Sequence, residues 1–168
     1  MLMELAALTD KLTVEWTPPS DGPERPCVRV LRADGTDTGI AFHGVPGGHE
    51  FNSFVVGLYN AAGPGQSIDP ALAEAIAAID RPLDLQIVVA LSCTMCPELV
   101  IAAQKIAASN PLVTAKVYDV NHFPELRERY KIMSVPCLII NKAKVAFGKK
   151  TLGQLLELLA EPEAGQTG

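Results

Sequence analysis

The chain has little cysteine, few aromatic residues and no long apolar run. Its four cysteines, Cys27, Cys93, Cys96 and Cys137, are spread over 168 residues. That is too few for a secreted disulfide scaffold, and only one pair is close in sequence. Such usage fits a reducing compartment, so the expected location is cytoplasmic. No window is long and apolar enough to span a bilayer, which argues against a membrane role. Met1–Leu8 carries an acid, lacks a basic n-region and has too short an apolar stretch to read as a targeting signal. The 14 lysines and arginines are outnumbered by 19 acids, for a net charge of −5. No basic stripe with interleaved aromatics occurs, so nucleic acid is not an expected partner. G-x-G-x-x-G is absent, which removes the usual dinucleotide-binding turn. What is present is a 48% hydrophobic composition, enough for one ordinary domain or two small ones.

Two segments can be read, 1–82 and 83–161, followed by a tail at 162–168 expected to be mobile. In the first, Met1–Leu8 reads as a turn or two of helix. Leu12-Thr13-Val14-Glu15-Trp16 alternates like a strand, with Trp16 expected in the core. Pro18–Pro23 reads as a loop, and Cys27–Leu31 with Gly39–His43 as a hairpin turning at Asp34-Gly35. A helix is expected from Glu50 to about Ala61, since Phe51, Phe54, Val55, Leu58 and Tyr59 form one stripe. Pro70–Ile79 reads as a second helix. The later segment reads as strand 85–91, helix 97–108, strand 112–119, helix 123–130, strands 137–141 and 144–147, and helix 151–160. That βαβαββα order is the order of a thioredoxin fold. The element order of the first segment looks like the later part of a similar unit, without an opening strand or a cysteine pair.

Cys93-Thr94-Met95-Cys96 stands where the first of these strands gives way to a helix. A C-x-x-C at such a junction is the signature of a thioredoxin-like redox site. The first cysteine then lies at a helix N-terminus, where unpaired N–H groups and the macrodipole favour its thiolate. An ordinary thiol, with pKa about 8.5, is only a few per cent thiolate at neutral pH. A helix terminus contributes roughly 0.3–1 kcal/mol at an exposed site, less than one pKa unit, so other polar groups must add to it. Thr94 and Met95 bring no charge, which points to a moderately reducing couple. Ser134-Val135-Pro136 precedes the apolar strand from Cys137, about 40 residues after the pair, and strengthens the redox reading beyond C-x-x-C alone.

Taken together, several motifs resemble one family. They are Ala90–Pro97 around the cysteines, Asn110-Pro111, Ser134-Val135-Pro136, and Phe147-Gly148 followed by Thr151-Leu152. Phe42-His43-Gly44-Val45-Pro46-Gly47-Gly48-His49-Glu50-Phe51 with Ser53, and Ala78-Ile79-Asp80, belong to the same set. They are similar to the N-terminal domain of the alkyl hydroperoxide reductase flavoprotein subunit, over roughly Leu5 to Leu159. The resemblance implies an α/β protein of two joined thioredoxin-like folds, the first incomplete and the second carrying the cysteines. It implies a protein disulfide oxidoreductase that relays electrons from a flavin-dependent, thioredoxin-reductase-like enzyme to a peroxiredoxin. Cys93 would be the nucleophile, Cys96 the resolving thiol, Pro136 a cis-proline, and Glu50 an acid/base group reaching across from the inactive fold. Thr94, Met95, Ser134 and Val135 would meet the partner. FAD and NAD(P)H would sit on that partner, with no cofactor bound to this chain. The first fold departs from the family in lacking its opening strand and most of its first helix, which would leave a sheet edge open to pairing or a homodimer.

Plainer readings stand beside these. A structural zinc site wants four ligands, whereas Cys27, Cys137, His43, His49 and His122 are scattered singly, so no metal is expected. Iron–sulfur binding is similarly under-supplied within one chain, although an intersubunit cluster stays open. Cys27 and Cys137 read as small buried hydrophobes. Glu50 and His49 also have ordinary roles at a helix start. Lys142, Lys144, Lys149 and Lys150 read as solvated charges around a hairpin. Two other functions are open: a glutaredoxin- or isomerase-like oxidoreductase, although the proline motif is S-V-P and no charged glutathione-binding set is obvious, and a redox-gated interaction module without turnover.

Overall fold

The computed structural model describes residues 1–18 and 24–162. Six strands form one mixed sheet in the order β1-β2-β4-β3-β5-β6. The first segment supplies α1 (Leu2–Ala7), β1 (Cys27–Leu31), β2 (Asp37–His43), α2 (Glu50–Ala62) and α3 (Pro70–Ala77). The second supplies β3 (Leu83–Val89), α4 (Cys96–Ser109), β4 (Val113–Asp119), α5 (Pro124–Arg129), β5 (Cys137–Ile140), β6 (Lys144–Phe147) and α6 (Leu152–Ala160). The second segment is therefore the thioredoxin-like βαβαββα unit.

The division expected near residue 82 falls at the connection into β3, and the sheet runs straight across it. β2 pairs in parallel with β4, from Ile40 opposite Ala115 to His43 opposite Tyr118. β3 pairs in parallel with β4 on its other side and antiparallel with β5. Strand β3 is central and buried on both faces, hence its nearly unbroken apolar sequence.

The larger core lies on the face covered by α2, α4 and α6. Phe42, Phe54, Leu85, Ile87, Leu99, Ile106, Val117 and Leu155 meet there. On the opposite face Val88, Tyr118, Phe123, Leu126, Cys137 and Ile139 form a smaller cluster under α5. Asn110 ties the first face together: its buried amide donates to the carbonyls of Ile76 and Ile79, and its Oδ1 accepts from Leu112 N–H. Thr151 and Gln154 form a reciprocal capping box that starts α6.

Three expectations fail in the first segment. The single α2 stripe is one of them: Phe51 and Tyr59 are exposed. Helix α2 instead buries Phe54 with the small or polar Glu50, Ser53, Gly57, Asn60 and Ala61, which lets it pack closely on α4. Leu12–Trp16 is not a strand, and Trp16 is 76% exposed. Alternation makes a strand only where a ladder partner exists, and β1 is the sheet edge, paired to β2 alone. Cys27 is exposed because it opens that edge strand, whereas Cys137, in β5 beside the central strand, is fully buried. The expected loop Pro18–Pro23 lies outside the described residues after Pro18, as does the tail beyond Pro162. Among the described residues no helix is long and apolar enough to cross a membrane.

Candidate active site

Cys93 and Cys96 form a disulfide, with Cα atoms 5.6 Å apart. Strand β3 delivers the first cysteine and α4 begins at the second. Cys93 is half-buried, and Cys96 is fully buried in the main core. Of the two, Cys93 is the one nearer the solvent. Helix α4 has no side-chain cap of the usual kind at Met95; instead Cys96 N–H donates to Cys93 Sγ at 3.1 Å. The sulfur occupies the anion-favouring position at the helix start, where a charge-assisted bond would stabilise a thiolate.

The Val135–Pro136 peptide is cis. The Val135 carbonyl oxygen lies 4.0 Å from Cys93 Sγ. Ladder pairing of β5 begins only at Cys137, with Val88 on one side and Phe147 on the other. The backbone of Ser134 and Val135 thus lies beyond the sheet ladder, with the Val135 carbonyl beside Cys93 Sγ. Thr94 and Ser134 are exposed, as are Met95 at 52% and Met133 at 88%. The structure thus brings together Cys93, Cys96, Val135 and Pro136, with Thr94, Met95 and Ser134 on the adjoining surface.

Glu50 arrives from the other segment. It opens α2, which follows β2 as α4 follows β3; β2 and β3 both run parallel to β4, so α2 and α4 run alongside each other in the same direction. Their contact is close, since a Cβ on Gly57 would lie 2.6 Å from Gln104 Oε1. Two turns earlier on each helix stand Glu50 and Pro97, which sets the Glu50 end of α2 level with the cysteine end of α4. The loop before α2 is pinned to the same place. His49 N–H donates to the Leu91 carbonyl at 2.9 Å, and Gly48, at φ +54°, lies so near that a Cβ would come within 2.5 Å of that oxygen.

The Glu50 carboxyl is fully buried. Burial raises its pKa to about 7, while a hydrogen bond from Ser53 Oγ to the carboxylate opposes the shift. Its Oε1 has no hydrogen-bond partner among the described residues. A buried carboxyl that titrates near neutrality is suited to moving a proton. Burial likewise pushes the Cys137 thiol up to about 11, in keeping with an inert core residue. Ser53 is the residue whose contact sequence reasoning left unassigned; its position one turn after Glu50 is the signal for it. His49 is exposed and serves through its backbone.

A C-x-x-C disulfide at a helix start, beside a cis-proline in a thioredoxin-like sheet, defines a thiol-disulfide oxidoreductase. A thioredoxin domain family matches residues 83–160. The chain is 39% identical to the N-terminal domain of the alkyl hydroperoxide reductase AhpF from Enterococcus faecalis. That structure superposes with a TM-score of 0.89, over 95% of this chain and 81% of the other. It is also 33% identical to the corresponding alkyl hydroperoxide reductase protein of Pseudomonas aeruginosa, over 98% of this chain and 30% of that protein. An NADH dehydrogenase of Bacillus subtilis is 30% identical over 91% of this chain and 29% of its own length. The chain thus belongs to the family of AhpF N-terminal domains, and spans about 30% of the length of the curated relatives named here.

Proposed function

We propose that this chain carries electrons from a flavin-containing, thioredoxin-reductase-like module to a peroxiredoxin, in the service of peroxide reduction. The observation that supports this best is the half-buried Cys93, disulfide-bonded to a fully buried Cys96 and flanked by the Val135 carbonyl. The reductase reduces the disulfide to two thiols. Cys93 thiolate then attacks the peroxiredoxin disulfide, forming a mixed disulfide and releasing one partner thiolate. Cys96 next attacks Cys93 Sγ, which restores the internal disulfide and releases the second partner thiol. Glu50, as a carboxylate, takes the Cys96 proton, and as an acid returns it when the disulfide is reduced again. Backbone groups of Ser134 and Val135 pair with the partner's extended segment, and Thr94 and Met95 border it. The flavin and nicotinamide belong to the reductase, and the setting is a reducing cytoplasm.

The test mixes this chain with a thioredoxin-reductase-like flavoprotein and a peroxiredoxin, and follows NAD(P)H oxidation after peroxide is added. Cys93→Ser should abolish transfer, and Cys96→Ser should leave a covalent mixed disulfide with the peroxiredoxin at Cys93. Undiminished turnover by Cys93→Ser would sink this mechanism.

A further inference from the structure

On the sheet face away from α2 and α4, near the free edge, a second thiol stands beside an imidazole. Cys27 in β1 and His43 in β2 are directly opposed across the ladder, with Sγ and Nε2 3.9 Å apart. His43 Nδ1 lies 2.8 Å from the Glu24 carbonyl oxygen. A carbonyl only accepts, so Nδ1 carries the proton and Nε2 turns its lone pair toward the thiol. The ring is held in that pose by stacking on Tyr118, 4.2 Å away and 2° from parallel, and by the edge contact with Phe123. His43 is buried, and burial lowers its pKa, so it stays a neutral base. Desolvation raises the Cys27 thiol, against the pull of Arg29, Arg25 and Lys116. Such a thiol rests protonated and gains most from an adjacent base.

The pair opens onto a cleft of about 530 Å³, within the roughly 300–1,000 Å³ of small-molecule sites. The cleft wall carries both signs of charge, with Arg25, Arg29 and Lys116 facing Glu24 and Asp37. Arg29 is paired with Asp37, and Lys116 Nζ is 3.4 Å from Asp84. Arg25 is exposed and forms no ion pair among the described residues. That mixture suits a ligand with carboxylate and ammonium groups better than a purely cationic one.

We propose that Cys27 and His43 form a second thiol-exchange site, taking a small zwitterionic peptide disulfide into this cleft. Cys27 passes its proton to His43 Nε2, and the thiolate attacks one sulfur of the disulfide. A bond forms from Cys27 Sγ as the ligand's S–S bond breaks. The departing sulfur leaves with the bonding pair and takes the proton back from His43. The Cys27 sulfur is oxidised, the departing sulfur is reduced, and neither Cys93 nor Cys96 takes part.

The test uses the full chain with Cys93→Ser and Cys96→Ser, so that only Cys27 and the buried Cys137 remain as thiols. Oxidised glutathione is the probe, and cystamine, a dication, is its comparison; intact mass and peptide mapping read the adduct. At pH 7 Cys27 should take up one glutathione about a hundredfold faster than in His43→Gln, the lower end of general-base effects. Above the thiol pKa, where no base is needed, the two rates should converge. If His43→Gln unfolds, Cys137 becomes labelled as well, and the exposed Arg25→Gln then decides. That variant should lose much of the preference for oxidised glutathione over cystamine. An unmodified Cys27, an undiminished rate in folded His43→Gln at pH 7, or equal rates with both disulfides overturns the proposal.

Discussion

The backbone N–H of Cys96 points at the sulfur of Cys93 across 3.1 Å. One cysteine therefore caps the helix that begins at the other. In the reduced protein the same bond favours charge on Cys93 over Cys96, because only Cys93 lies in front of the helix terminus. Cys96 is fully buried and stands inside the helix as its first residue.

With the disulfide reduced, Cys93 should react with iodoacetamide at least about tenfold faster than Cys96 at neutral pH, and its rate should inflect below the free-thiol value of about 8.5. Peptide mapping of briefly alkylated protein checks it. Equal labelling of the two would remove the helix-start argument. The couple itself is expected near thioredoxin's potential of about −270 mV, measured by equilibration with a thiol buffer.

Glu50 makes stability depend on pH. Its pKa rises from 4.5 unfolded to about 7 folded, through burial. Between those values the folded state binds more protons than the unfolded state, so stability falls as pH rises. The stabilising effect is fully present below the unfolded value and is lost through the folded one. Glu50→Gln should therefore flatten the profile and gain on the native chain from pH 5 to pH 8, by roughly 3 kcal/mol as an upper bound. Urea denaturation at the two pH values measures this. The same substitution should slow Cys96-dependent resolution and remove an inflection near pH 7 from its rate.

Gly48 should tolerate no side chain. Its left-handed backbone disfavours alanine by roughly 1–2 kcal/mol, and the added Cβ would crowd the Leu91 carbonyl that holds His49. Gly48→Ala is expected to lower Tm and also to slow electron transfer, since it moves the start of α2 away from the cysteine loop. Calorimetry and the coupled assay test the two effects separately.

Asn110 should matter to stability alone. Asn110→Ala strips two donors from the carbonyls of Ile76 and Ile79 and an acceptor from Leu112. A loss of about 2–3 kcal/mol is expected in urea denaturation, in line with leaving buried backbone groups unpaired. The reduction potential should stay unchanged.

Local pattern was a good guide where neighbours in sequence are neighbours in space. The β1–β2 hairpin, the extents of α2 and α4 and every element of the second segment were legible within a few residues. So was the cysteine pair at a strand-to-helix junction, because helix termini and β-branched runs are local signals. Leu12–Trp16 was misread because its alternation looks like a strand, while a strand also needs a partner. Cys27 was misread because alternation gives the face of a residue but not whether its strand lies at an edge.

The sequence by itself determined the thioredoxin-like order of elements, the reactive pair and the proline motif beside it, since each depends on spacing along one short stretch. Only the tertiary structure decided that β2 joins β4, so that a single sheet carries both segments. It alone set the Glu50 end of α2 level with the cysteine end of α4, through the close passage of Gly57 past Gln104. It alone opposed Cys27 to His43. Those relationships depend on strand register and helix packing between segments far apart in the chain. No local propensity encodes them; they follow from burying the apolar faces of α2, α4 and the sheet in one core.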